Sequence, residues 1–154
     1  MTDQVRFTTI AHDLQKVVDA SRPALQSISE AQAGLPRATG KWSAKQVIGH
    51  LIDSAANNHQ RFVRAQQGSA LEFPGYVQDD WIAAQHYNER PWSELTQLWE
   101  FYNRHIAHLI AHIPDDRREL SCAIGANPPV PLVFVAQDYV RHLQHHLEQI
   151  GWRP

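Results

Sequence analysis

At 154 residues, with 14 basic and 16 acidic side chains and a formal net charge of −2, the chain has the size of one ordinary domain and lacks the basic patch that nucleic acid or an anionic membrane would require. Its one cysteine, Cys122, excludes a disulfide framework and a cysteine-built zinc finger, and no stretch approaches the ~20 apolar residues that cross a bilayer. Ten histidines mean that any metal site here would be imidazole-based. The N-terminal run MTDQVRFTTIAHDLQKVVDA has neither an unbroken apolar stretch nor a small-residue cleavage site, so the expectation is a cytoplasmic protein whose partner is a small molecule.

The first helical period runs from about residue 7 to 32, with Ile10, Leu14, Val17, Val18, Leu25 and Ile28 on one face and Pro23 expected to bend or interrupt it. A second helix opens in GKWSAKQVIGHLIDSAANNHQRFVRAQ, where Ser43 and Gln46 make a capping-box pattern and Gly68 supplies a stop. About 25 residues between Gln67 and Trp92 then read as a long, ordered, aromatic-rich loop. The third helix spans about Ser93 to His112, ended by Pro114, with Leu95, Leu98, Trp99, Tyr102, Ile106, Leu109 and Ile113 along its apolar face. The stretch DDRRELSCAIGANPPV reads as a turn or short hairpin, and a fourth helix runs from about Leu132 to Ile150. Four amphipathic segments without a strand series predict an all-α four-helix bundle, one domain over residues 1–154.

Ligand sites in bundles are built from side chains at the margins of the apolar faces. At about 100° per residue, Tyr139, Leu143, Leu147 and Ile150 form the buried arc of the last helix. His142 and His146 fall together on its margin, while His145 points among polar neighbours. The i, i+4 pair can give two imidazoles to one ion, as a single helix face requires. The best-placed third ligand is His50, flanked by Val47, Leu51 and Ile52 and opening a polar stripe of Ser54, Asn58 and Arg61 such as a cavity-lining helix would show. Three neutral imidazoles suit zinc, nickel, copper or iron and leave coordination positions open. Asp138, one turn before His142, is the expected acceptor for its second ring N–H. Asn58, Arg61, Tyr76, Asp79 and Trp81 are expected around the substrate, and no residue is assigned as catalytic acid or base. His105, His108 and His112 read as a solvated edge, His59 as a helix or subunit contact, and Cys122 as an ordinary thiol.

The block W-S-x6-H-L-x-D around His50, followed by H-x-x-H-H-x-x-Q-I at the end of the chain, resembles the DinB-like superfamily, a group of four-helix metal-binding proteins that includes YfiT-type proteins. The resemblance covers about Leu35 to Gly151. It implies an up-down-down-up bundle, a divalent metal (zinc or nickel) held by one histidine of the second long helix and two of the last, and a homodimer. Carried onto this sequence, the ligands are His50, His142 and His146, with His145 outside. The implied activity is thiol-dependent S-transfer using a low-molecular-weight thiol cosubstrate. Hydrolysis by metal-bound water and ligand binding without turnover are the alternatives.

Overall fold

The computed structural model describes residues 5–154. In chain order these form helices α1 (Phe7–Gln26), α2 (Glu30–Ala33) and α3 (Ala44–Ala65), strand β1 (Leu71–Phe73), helices α4 (Gln78–Gln85) and α5 (Trp92–Ala111), strands β2 (Ser121–Ile124) and β3 (Val130–Pro131), and helix α6 (Leu132–Glu148). The four long helices make the expected bundle of up-down-down-up connectivity. Helix α1 packs against α5 and α6, and α3 packs against the same two, so the consecutive helices α1 and α3 lie across the bundle from each other. No helix among the described residues is long and apolar enough to cross a membrane.

The first helical stretch is two helices rather than one. Pro23 sits inside the last turn of α1, which closes three residues later. A second capping box, with Gln32 N–H donating to Ser29 Oγ at 3.2 Å and Ser29 N–H to Gln32 Oε1 at 3.1 Å, then starts α2. Ser29 and Gln32 carry the same spacing signal as Ser43 and Gln46, but the apolar period running past them hides it. At α3 the expected capping box is present, with contacts of 3.1 and 2.9 Å.

The stretch between α3 and α5 is more structured than an open loop. It holds β1, α4 and a 3₁₀ turn at Tyr87–Glu89. Helix α4 buries only Ile82, so it carries no amphipathic period to read. The hairpin is present as β2 and β3, paired antiparallel through Cys122 and Val130, and β1 adds to it in parallel with Leu71 opposite Cys122. Gly125, at φ +58°, turns the chain beside Gly75, where a Cβ would lie 3.3 Å from the Gly75 nitrogen. This three-stranded patch closes over one side of α3 and α6.

Leu14, Ile48, Leu51, Phe62, Trp99, Ile106, Leu143 and Leu147 fill the bundle interior and are essentially inaccessible to solvent. Burying each such side chain stabilises the fold by about 1.5–3 kcal/mol. Gly49 serves a different purpose: a Cβ there would collide with the ring of Tyr87, so its absence lets the 3₁₀ turn lie directly on the α3 backbone.

Candidate metal centre

Helices α3 and α6 pack together, and the contact brings His50 against His142 and His146. Each of the three can offer one ring nitrogen, and these atoms all lie within 4.8 Å of one another. His50 Nε2 stands 3.1 Å from His142 Nε2, close to the ~3.0–3.4 Å edge of a tetrahedral or octahedral shell with bonds of about 2.1 Å. His50 is 2% exposed, and its Nδ1 is buried without a hydrogen-bond partner. Trp42 closes the cluster from the α3 start, its ring 5.1 Å from that of His50 and 6.3 Å from that of His146. The capping box at Ser43 therefore also fixes a wall of the site.

Burial holds the three imidazoles neutral. Desolvation, then repulsion from His142 and His146, pushes His50 down to about 3. Desolvation and His146 push His142 down to about 4, opposed by the charge of Asp138. His146 is lowered by the same burial, against an opposing hydrogen bond with Gln149. Neutral rings have lone pairs to give, and two ring nitrogens facing at 3.1 Å cannot both be protonated without repulsion. The donor set and its spacing fit one divalent ion.

The outer contacts differ from the sequence expectation. The Asp138 carboxylate accepts from Arg141, and it makes no hydrogen bond to His142. The side chain that orients a ring is Gln149, whose Oε1 lies 3.1 Å from His146 Nδ1. With Nδ1–H donating to that oxygen, the lone pair of His146 is left on Nε2. Gln149 stands in the C-terminal sequence block but outside the apolar arc, and the i, i+3 spacing from His146 was the available signal. Asp53, which does not line the cavity, is also buried. Its Oδ1 accepts from Tyr87 Oη at 2.6 Å and from Gln85 Nε2 at 2.7 Å, and burial raises its carboxyl above the usual range.

A cavity of about 530 Å³ opens beside His142. The α3 stripe of Ser54, Asn58 and Arg61 forms one wall, Asp138 and Tyr139 of α6 another, and Tyr76 and the β2–β3 hairpin the cover. Asn58, Arg61 and Tyr76, three of the residues expected around the substrate, line this cavity. Asp79 and Trp81 do not line the cavity: Asp79 is exposed in the first turn of α4, and Trp81 packs against Tyr76 with ring centres 5.0 Å apart. The unforeseen helix α4 is the cause, since it carries both side chains away from the opening. Cys122 does line the cavity, but burial pushes its thiol up to about 11, so it stays protonated. His145 is exposed, as are His105, His108 and His112, and His59 Nδ1 lies 2.9 Å from Tyr102 Oη.

Two curated proteins align along most of the chain. One from Geobacillus thermodenitrificans, named "Putative metal-dependent hydrolase", is 26% identical over 141 residues, covering 89% of this chain and 78% of that protein. One from Oceanobacillus iheyensis, named in the same way, is 22% identical over 126 residues, covering 82% and 72%. Among solved structures, YfiT from Bacillus subtilis, described as "a probable metal-dependent hydrolase with an unusual four-helix bundle topology", superposes with a TM-score of 0.82 at 19% identity, over 99% of this chain and 94% of that one. A mycothiol-dependent maleylpyruvate isomerase superposes with a TM-score of 0.78 at 16% identity, over 96% of this chain and 62% of that one. The model of the DinB superfamily matches residues 13–150, and the chain belongs to that superfamily.

Proposed function

We propose that the protein is a metal-dependent enzyme acting on a small molecule, with His50, His142 and His146 holding one divalent ion, zinc or nickel. The observation that carries this reading is the cluster itself: three desolvated imidazoles within 4.8 Å of one another at the edge of a 530 Å³ cavity. Three protein ligands would leave coordination positions open, the arrangement of catalytic rather than structural sites. A divalent ion bound there would lower the pKa of a water or thiol and supply a nucleophile at neutral pH. Burial keeps the ligand rings deprotonated, Gln149 fixes the tautomer of His146, and Trp42 and the bundle core exclude bulk water from behind the cluster. Tyr76, Asn58 and Arg61 shape the space in which the substrate would lie.

Hydrolysis by activated water is the leading reaction, supported by the names of both aligned proteins and by the description of YfiT. Thiol-dependent S-transfer, with a low-molecular-weight thiol as cosubstrate, is the second reading, supported by the fold shared with the mycothiol-dependent isomerase. Both are tested by assaying chelated and zinc- or nickel-restored protein on small esters and small electrophiles, with and without added thiol. Metal-restored ester cleavage indifferent to thiol establishes the first; turnover only with thiol establishes the second; equal rates before and after metal removal would sink both.

A further inference from the structure

We infer that the cavity takes a small molecule bearing a carboxylate, and that Arg61 is the residue that recognises it. The inference rests on the proposed metal centre only for the position of the molecule's other end.

Arg61 is 9% exposed, and it reaches the cavity wall from α3. Burying a guanidinium is costly unless an anion and hydrogen bonds compensate it. Among the described residues no carboxylate pairs with it. Asp138, the acid on the α6 wall of the cavity, is held by Arg141, and Asp53, two turns earlier on α3, accepts from Tyr87 and Gln85 through Oδ1. Among the described residues the single hydrogen bond that Arg61 makes is a long one, from Nη1 to Asn58 Oδ1 at 3.4 Å, and its Nε is buried without a partner. The group is nonetheless held in place. Its Cζ lies over the ring of Phe73 of β1, 5.3 Å from the ring centre. That contact uses none of the guanidinium's N–H donors, whose fork matches a carboxylate in a bidentate pair. A buried, oriented, unpaired guanidinium in a cavity wall is a subsite awaiting its anion.

The position of the subsite sets the shape of the ligand. Arg61 is eleven residues beyond His50 on one continuous helix, about 16 Å along its axis. Ser54 and Asn58 lie between the two on the cavity side. A molecule that meets the metal centre at one end and Arg61 at the other is therefore extended, with its carboxylate several bonds from the reacting group. Either the substrate or a thiol cosubstrate can carry that carboxylate.

The test uses hexanoate and its neutral counterpart hexanamide, titrated calorimetrically against the full chain in metal-stripped and zinc-treated form. Hydrogen bonds to a charged group contribute about 1.5–3 kcal/mol, so hexanoate is expected to bind at least about tenfold more tightly in both forms. Arg61→Gln should abolish that preference, and Arg61→Lys, which keeps the charge without the fork, should reduce it to a few-fold. Equal or absent binding of the two ligands to the parent protein overturns the inference, as does a preference unchanged in Arg61→Lys, which serves if Arg61→Gln does not fold. On the zinc-treated protein, a further gain for 6-mercaptohexanoate over hexanoate would assign the carboxylate to a thiol cosubstrate, and no gain would assign it to the substrate; both results support the subsite. Absence of zinc uptake, read by metal analysis, would count against the metal centre while the preference in metal-stripped protein still decides the case of Arg61.

Discussion

His50 Nε2 and His142 Nε2 face each other at 3.1 Å across the contact of α3 with α6, although 92 residues separate them in the chain. The approach depends on the bundle: α3 and α6 pack side by side, and Leu51 and Leu143, each adjacent to its histidine, are buried in the core beneath them. The core therefore sets the spacing of the candidate ligands, and changes to the helices should be felt at the site.

The first such change is Ser43→Ala. It removes the acceptor for Gln46 N–H at the start of α3. Loss of a cap of this kind costs about 0.5–2 kcal/mol, or roughly 1–8 °C in Tm for a chain of this size. Because Trp42 precedes the cap and packs against the His50 ring, the zinc affinity of the variant should fall as well. Thermal melts with titration of a zinc indicator check both effects, and an altered melt with unaltered zinc affinity would separate the cap from the site.

Gly49→Ala addresses the opposite face of α3. The new methyl would meet the Tyr87 ring, whose hydroxyl donates to Asp53. Overpacking of this kind costs about 1–3 kcal/mol. Urea denaturation should show a lower midpoint with the slope retained, and Tyr87→Leu should relieve part of the clash in the double variant.

Gln149→Leu removes the partner of His146 Nδ1 while the three ring ligands remain. Loss of such an orienting contact typically weakens metal affinity by about 10–100-fold. Competition with a chelator of known affinity measures this, and an unchanged affinity would show that Gln149 does not set the ring.

How much of this could be read without coordinates differs from element to element. The four long helices were legible because their buried side chains recur with the helical period, and the capping box at Ser43 marked the start of α3. The clustering of His50, His142 and His146 was legible for the same reason, since the three stand beside buried positions while His145 stands among exposed ones. Helix α4 was not, because it buries Ile82 alone, and Asp79 and Trp81 were misplaced with it. The parallel pairing of β1 with β2 joins Leu71 to Cys122 across 51 residues, a contact that no local pattern encodes. The partners of Asp138 and Gln149 depended on side-chain direction at exposed turns of α6, which periodicity does not resolve.

The depressed histidine values give a pH dependence with a defined sign. In the unfolded chain an imidazole titrates near 6.5, whereas in the folded, metal-free protein His50 and His142 titrate at about 3 and 4. Between those values the unfolded state binds more protons, so stability is full above about 6.5 and is lost as pH falls toward the folded values. The urea midpoint of metal-free protein should therefore drop from pH 6.5 to pH 4. His142→Gln should flatten that decline, and a His145→Gln variant, altered at an exposed ring, should follow the parent.

The most direct measurement of the central claim is anomalous scattering from crystals of tag-free protein grown with zinc or nickel, collected on both sides of the metal absorption edge. A single peak bonded to nitrogens of His50, His142 and His146, with at least one position open toward the cavity, is the result expected. A peak ligated by His145, or no peak at the α3–α6 contact with metal present, would contradict the account.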